Sequence, residues 1–382
     1  MTLHKPKLIR SVTVDTSLGF VEPMIPDLKE KYEVQLLSSP GDRMDRICEE
    51  YEIKGHRVYM FRRMSPMKDL KSLFQLIKVF RKEKPYIVHS MTPKAGLLCM
   101  LAAWLVRVPR RVHTFTGLVW PTATGLSRLI LMATDWLTCT CATHVIPEGQ
   151  GVLNDLQRHI TKKPMKVLGF GNVRGIDMVR FSRRPEVMKL AECLRKEGVF
   201  TFIFVGRIVG DKGINELVQA FTRLCENIVN IRLFLVGNYE TLLDPLKSET
   251  IEIIHSNSAI EVVGAKYGDD LLAYYAASDC FVFPSYREGF PNTVLEAGAM
   301  GLPSIVTDIN GSREIIVNEK NGLIVPSKDI EALYRAMEQM IVNKEQTVRY
   351  ATNARPVIES RFEQNFVCQC LYNFYDEILK VT

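Results

Sequence analysis

Four charged side chains carry the chemistry this sequence offers, and they come in two pairs. Arg207 and Lys212 sit in VGRIVGDKG (205–213), while Glu288 and Glu296 sit in PSYREGFPNTVLEAGAMGLP (284–303). Each stretch follows a strand-like run and precedes a helix-like one. Gly206, Gly210 and Gly213 let a ligand approach the first turn closely, and two fixed cations beside a helix N-terminus form a receptor for a diphosphate. In the second stretch Pro291 and Asn292 start a helix with Asn292 as its cap, which turns the amides of Thr293 to Leu295 toward an anion. Glu288 lies before that helix and Glu296 about one turn inside it, so the carboxylates straddle the amides and can read hydroxyls on each side of a bound phosphate. The plainer alternatives are a glycine-rich turn of purely structural use and two solvated surface glutamates. A Walker loop is excluded, because G-x-x-x-x-G-K-[ST] is absent.

The first half of the chain holds a weaker set. Lys94 follows Pro93 at a helix start, just after the strand YIVHS that His89 and Ser90 close. Such a helix end with an adjacent cation can receive an acceptor pyrophosphate, the alternative being an exposed lysine in a first turn. His113, on the strand RRVHTF, is either a core histidine or a cleft residue.

These residues need a frame, and the sequence supplies one. LIRSVTV, YEVQLLSS, HRVYMF, YIVHS, RRVHTF and THVIP alternate with segments of helical apolar spacing, and TFIFVG, RLFLVG, AIEVVG, CFVFPS, PSIVT and GLIVP repeat the pattern. The fold class read from this is α/β: two doubly wound Rossmann-like domains facing across a cleft, with ligands at the C-terminal strand ends. The boundaries fall at 1–170, 171–360 and 361–382, the change being marked by the Gly- and Arg-rich stretch 169–185. In the last segment Phe366, Cys370, Phe374 and Ile378 mark the apolar stripe of a helix that packs back toward the first domain.

Composition narrows the partners. With 382 residues, 47% hydrophobic and 24% charged, the chain is a globular protein of two-domain size. Nine cysteines without a C-x-x-C indicate neither a disulfide framework nor a zinc site, and point to a reducing, cytoplasmic compartment. No signal peptide is expected, and the run from Gly96 to Val106 is about half of the roughly 20 residues a membrane span needs. Residues 1–170 carry 26 Lys/Arg against 15 Asp/Glu (+11), and the remainder carries 23 against 28 (−5). A basic half suggests nucleic acid, a phospholipid surface or a phosphorylated substrate, and no nucleic-acid recognition motif is present.

GRIVGDKG followed by EGFPNTVLEAGAMGLPSIVTDINGSREII resembles the donor half of the retaining GT-B glycosyltransferases of the family-four group. HSMTPKAGLL and RRVHTFTGLVWPT are similar to the first domain of bacterial capsule and O-antigen transferases. The resemblance implies that Arg207 and Lys212 hold the donor diphosphate, that Glu288 with the backbone of Gly289 and Phe290 contacts the donor sugar hydroxyls, and that Gly206 and Pro291 belong to the donor site. It implies that Asn292, Thr293 and Val294 present amides to phosphate, Glu296 takes the ribose, Val263 and Gly264 face the base, and Gly311 with Glu314 shapes the neighbouring loop. Arg207, Lys212 and Glu288 would then be the catalytic set, and Gly19, His89, Lys94, His113 and Thr116 would lie on the acceptor side.

Three departures from the family pattern stand out: Thr116 where relatives carry His, a single Gly19 after the first strand, and Arg174 in the linker. The reaction expected is retaining transfer of a hexose or N-acetylhexosamine from a UDP-sugar, with no cofactor and no metal, since no D-x-D occurs. A nucleotide-sugar epimerase, a phosphorylase and a non-catalytic sugar-nucleotide binder are the alternatives. The acceptor expected is a lipid-diphosphate-linked saccharide at the inner face of the cell membrane. This rests on the basic half, on Trp104, Trp120 and Trp136, and on Arg62, Arg63, Lys68, Lys71, Lys78, Arg81 and Lys82 as contacts to anionic lipid.

Overall fold

The computed structural model describes residues 5–61, 65–240 and 244–380. It contains two compact units, each built on one six-stranded parallel sheet. The first unit runs to Gly175 and takes up the chain again from Asn365; the second is Ile176–Gln364. The crossings fall at 176 and 365, against 171 and 361 read from the sequence.

In the first unit β1 (Lys7–Ser11), β2 (Glu33–Ser38), β3 (Lys54–Arg57), β4 (Ile87–Met91), β5 (Arg110–Phe115) and β6 (His144–Pro147) lie in the order β3-β2-β1-β4-β5-β6. In the second, β7 (Phe200–Val205), β8 (Ile231–Val236), β9 (Ile260–Val262), β10 (Cys280–Phe283), β11 (Ser304–Thr307) and β12 (Gly322–Val325) lie in the order β12-β11-β10-β7-β8-β9. Numbered within its own unit, each sheet is 3-2-1-4-5-6, the Rossmann arrangement, which reverses direction between its first and fourth strands. Ligands of such sheets bind outside the carboxyl ends at that reversal, here between β1 and β4 and between β7 and β10.

The strands of the second sheet are mostly apolar runs, suited to a sheet covered on both faces, whereas in the first sheet β3 is Lys-Gly-His-Arg and β1 and β5 carry arginine. Ile203, Phe204, Leu233, Leu235, Phe281 and Val282 are all fully buried. Phe204, Phe283 and Phe281 stack in a row across β7 and β10 with successive ring centroids 5.8 Å apart. The row stiffens the floor beneath the second reversal point.

Two sequence expectations are corrected. The third strand is Lys54–Arg57, upstream of most of HRVYMF: it pairs with Gln35–Ser38, after which Val58 and Met60 leave the ladder and are buried in the core. The final helix, Gln364–Lys380, buries Val367, Leu371, Phe374, Tyr375 and Ile378, whereas Phe366 is 41% exposed and Cys370 half-buried. A strict four-residue row drifts about 40° per step around a 3.6-residue helix, so only its last two members stay on the buried face. That face packs with Leu8, Val34 and Ile87 from the first sheet, so the first unit's core is completed by the last helix of the chain.

Candidate functional site

The second unit brings the charged pairs together at the reversal between β7 and β10. After β7 the chain makes the short turn Gly210–Lys212 and enters the helix Ile214–Asn227 through Gly213. Gly213 has φ +72°, and a Cβ there would lie 2.1 Å from the Pro284 carbonyl oxygen, so only glycine lets the two loops touch. Tyr286 N–H donates to the Asp211 carbonyl at 2.8 Å, and Ser285 Oγ donates to the same oxygen at 3.2 Å. Lys212 Nζ thereby reaches Glu288 Oε1 in an ion pair, with the two side chains only 15% and 16% exposed. Ser285 Oγ also lies 2.9 Å from the same carboxylate oxygen, so its single proton is shared between Glu288 and the Asp211 carbonyl. Lys212 Nζ also stands 5.5 Å above the Phe283 ring, where the π face favours a cation.

Arg207 is more open. Its side chain is 54% exposed and pairs with Glu240, on the loop after β8. Each cation of the site is thus held by a carboxylate, and a diphosphate would exchange one anionic partner for another. Gly206 N–H donates to the Val236 carbonyl at 3.0 Å, and Gly237 N–H donates to the Gly264 carbonyl at 3.0 Å. The ends of β7, β8 and β9, including Val263 and Gly264, therefore line one edge in sequence.

The helix after β10 is Asn292–Ala299 and its cap is Pro291, one residue earlier than the sequence suggested. Val294 N–H and Leu295 N–H turn to the Pro291 carbonyl at 3.2 and 3.5 Å, so two of the three amides expected to face an anion have an acceptor inside the helix. Among the described residues the Thr293 N–H is the one of the three without an acceptor. Gly289, Phe290 and Pro291 are backed by Gly311, whose φ is +74° and whose Cβ would lie 2.3 Å from the Gly289 oxygen. Gly311 N–H donates to Glu314 Oε1 at 3.3 Å, which fixes that neighbouring loop. Glu296 is 8% exposed and accepts a bond from Tyr275 Oη at 3.3 Å. Burial and the Glu296 charge push the Tyr275 phenol well above its usual range, so it stays a donor.

Sequence reasoning missed Glu240, Ser285, Asp211 and Tyr275. Asp211 and Ser285 stood within the two motifs, but Glu240 and Tyr275 lie on a separate loop and helix, and no spacing rule connects them to the motifs.

In the first unit the acceptor-side expectations are largely overturned. His89 is 1% exposed, and its ring nitrogens meet Tyr375 Oη at 2.5 Å and Thr114 Oγ1 at 2.7 Å. His113 is equally buried, bonded to Ser90 Oγ at 2.8 Å, and stacked edge-on against Phe115. Burial drives His113 down to about 3 and His89 well below its normal range, so both are neutral core residues. Lys94 is neither exposed nor unpartnered: its side chain is 10% exposed and Nζ pairs with Asp69 at 2.6 Å. The helix it opens spends its Ala95 N–H on Thr13 Oγ1 at 3.1 Å. Gly19 is half-buried in the short helix Asp15–Phe20 beside Arg43, and Thr116 is half-buried just past β5. Of the tryptophans, Trp104 and Trp136 are about half exposed and Trp120 is buried. Arg62 and Arg63 lie outside the described residues.

Among the described residues there is no His, Cys, Asp or Glu grouping able to hold a metal ion, and no helix long and apolar enough to cross a membrane.

Comparison with known proteins adds a lineage to this geometry. The family model "Glycosyl transferases group 1" matches residues 190–357, and "Glycosyltransferase Family 4" matches residues 27–171. The chain is 32% identical over 99% of both lengths to the capsular polysaccharide biosynthesis glycosyltransferase CapM of Staphylococcus aureus. It is 30% identical to an Escherichia coli UDP-Gal:alpha-D-GlcNAc-diphosphoundecaprenol alpha-1,3-galactosyltransferase, over 74% of this chain and 73% of the relative. The crystal structure of Anabaena Alr3699/HepE in complex with UDP superposes with a TM-score of 0.79 at 17% identity, covering 97% of this chain and 100% of that one.

Proposed function

The chain belongs to the GT-B glycosyltransferases of the group 1 and family 4 type that act in surface polysaccharide synthesis, and from that premise we propose that it transfers a hexose or N-acetylhexosamine from a UDP-sugar to a lipid-diphosphate-linked saccharide, with retention and without a metal. The observation that supports this reading best is the joining of the two loops at the β7–β10 reversal, where Lys212, Glu288 and the Asn292–Ala299 helix start converge. In this reading Arg207 and Lys212 take the diphosphate, Glu288 with Gly289 and Phe290 takes sugar hydroxyls, Glu296 takes the ribose, and Val263 and Gly264 flank the base. Charge grows on the departing UDP as the glycosidic bond breaks, and cations already fixed in a partly buried site favour that charge over the ground state. Gly19 and Thr116 remain acceptor-side candidates, while His89, His113 and Lys94 shape the sheet beneath them. The names of the Escherichia coli relative and of a Campylobacter jejuni relative, each specifying a diphospho-undecaprenol-linked acceptor, support the acceptor class.

The same reading places the first unit against anionic lipid. Its helix Pro93–Leu105 packs between Pro66–Glu83 and Gly125–Cys141, and together they expose Leu70, Phe74, Trp104, Leu129, Ile130 and Trp136. Lys71 and Lys78 flank that apolar surface, with Arg81 and Lys82 exposed at the end of their helix. Each cation near the surface contributes roughly 1 kcal/mol of attraction. Flotation with anionic vesicles at low salt tests this: the protein is expected to float, to float less after Trp136→Glu, and a native chain that stays at the bottom contradicts it. The transfer itself is tested by supplying synthetic polyprenyl-diphosphate-linked sugars and a panel of UDP-sugars in EDTA. An α-linked product from an α-linked donor is expected; hydrolysis or epimerisation of the donor without transfer contradicts the reading.

A further inference from the structure

Arg10 is the one fully buried arginine of the first sheet whose surroundings do not balance its charge. It lies on β1, is 1% exposed, and has no carboxylate within ion-pairing distance among the described residues. Its Nη1 donates to Tyr375 Oη at 3.0 Å, on the Gln364–Lys380 helix, and its remaining contacts are the thioether sulfurs of Met24 at 3.9 Å and Met91 at 3.2 Å. Its Nε–H is buried and has no acceptor. A guanidinium keeps its charge wherever it sits, and neutral partners leave that charge uncompensated in a region of low dielectric.

The bonds that lead away from it make the imbalance sharper. Tyr375 Oη, His89 and Thr114 Oγ1 form a chain of two links, at 2.5 and 2.7 Å. When the histidine is neutral, these three groups hold three protons, one on each hydroxyl and one on the ring, and two links use only two of them. One hydroxyl proton is therefore left without an acceptor in either tautomer. Burial and the Arg10 charge both hold His89 neutral, and burial keeps the Tyr375 proton in place, so neither supplies the missing negative charge. Arg10, His89, Met91 and Thr114 border a small, partly open cavity of about 20 Å³, lined also by Asn172, Leu168 and Leu371, with room for one particle the size of a water or a halide.

We propose that this cavity is a binding site for a single monatomic anion of chloride size, held by the Arg10 guanidinium and the Thr114 hydroxyl. Water would satisfy the spare donors but leave the charge unbalanced; a monovalent anion does both. In the bonded arrangement Tyr375 gives its proton to His89 Nδ1, His89 Nε2–H donates to Thr114, and the Thr114 proton points to the ion. Because Tyr375 and Leu371 belong to the last helix of the chain, the ion would fasten that helix to β1, β4 and β5.

The test uses the full-length protein. Melting is followed in sodium chloride, bromide and gluconate at one fixed ionic strength, and crystals grown in bromide are measured at the bromine absorption edge. The expected result is a saturable rise in melting temperature with chloride and bromide over gluconate, lost in Arg10→Met, together with an anomalous peak within hydrogen-bonding distance of Arg10. Thr114→Val, which keeps the arginine, is expected to weaken the halide response several-fold without abolishing it. Equal melting in halide and gluconate, together with no anomalous peak in the native crystals, overturns the proposal, and the crystal result stands even if Arg10→Met does not fold.

Discussion

Glu288→Gln separates two roles that the site asks of one carboxylate. Without donor, Lys212 is paired with Glu288, so UDP has to win that lysine from it. Both side chains are about one-sixth exposed, which puts the pair between a surface ion pair and a fully buried one, and its competition with UDP at about 1 kcal/mol. A neutral glutamine keeps the bond from Ser285 and gives up the lysine, so UDP alone should bind about five-fold more tightly. The complete donor behaves in the opposite way: its sugar hydroxyls lose a charged acceptor contributing roughly 1.5–3 kcal/mol, which outweighs the gain of about 1 kcal/mol at Lys212, and kcat/KM should fall about 2- to 30-fold. Calorimetry with UDP and steady-state rates with the UDP-sugar read the two arms separately. Weaker UDP binding in Glu288→Gln, or a kcat/KM equal to or above native, refutes the reasoning.

Other consequences follow from the same geometry. Gly213→Ala puts a Cβ on the Pro284 oxygen at a φ of +72°, and should cost about 1–3 kcal/mol of stability and separate the two loops; melting and UDP affinity should fall together. In acid, His113 binds a proton more readily unfolded, near 6.5, than folded, near 3, so its contribution to stability is present above pH 6.5 and is lost as the pH falls. His89 acts in the same direction, each histidine contributing a slope of about 1.4 kcal/mol per pH unit. Asp135 opposes them: burial lifts it to about 7, so its contribution is present at low pH and is lost as the pH rises toward 7. Asp135→Asn should therefore steepen the loss of stability between pH 6.5 and 5 by about one proton, seen in urea unfolding at stepped pH.

Much of this architecture was legible before any coordinates. All six strands of the second sheet fall on runs such as TFIFVG and CFVFPS, because strands covered on both faces are mostly apolar, Arg232 on β8 and Glu261 on β9 being charged exceptions. Lys212 and Glu288 were legible as well, since each stands on a glycine-rich turn after such a strand. What escaped was pairing across long stretches of chain. Nothing near Lys94 in the sequence announces Asp69, and nothing near Arg207 announces Glu240. Strand alternation shows where a side chain such as His89 points, but not that a helix from the far end of the chain seals it with Tyr375. The shift of the helix cap from Asn292 to Pro291 is a one-residue matter, but it decides which amides remain to meet a phosphate.

The claim that the β7–β10 reversal holds the diphosphate of a uridine nucleotide is tested most directly by isothermal titration calorimetry of UDP, GDP and ADP against the native chain and Lys212→Met. The account predicts UDP binding in EDTA, preferred over GDP and ADP, and weakened about 10-fold or more in Lys212→Met by loss of one charge-assisted contact. Equal affinity of the native chain and Lys212→Met for UDP, or preference for GDP or ADP, contradicts it.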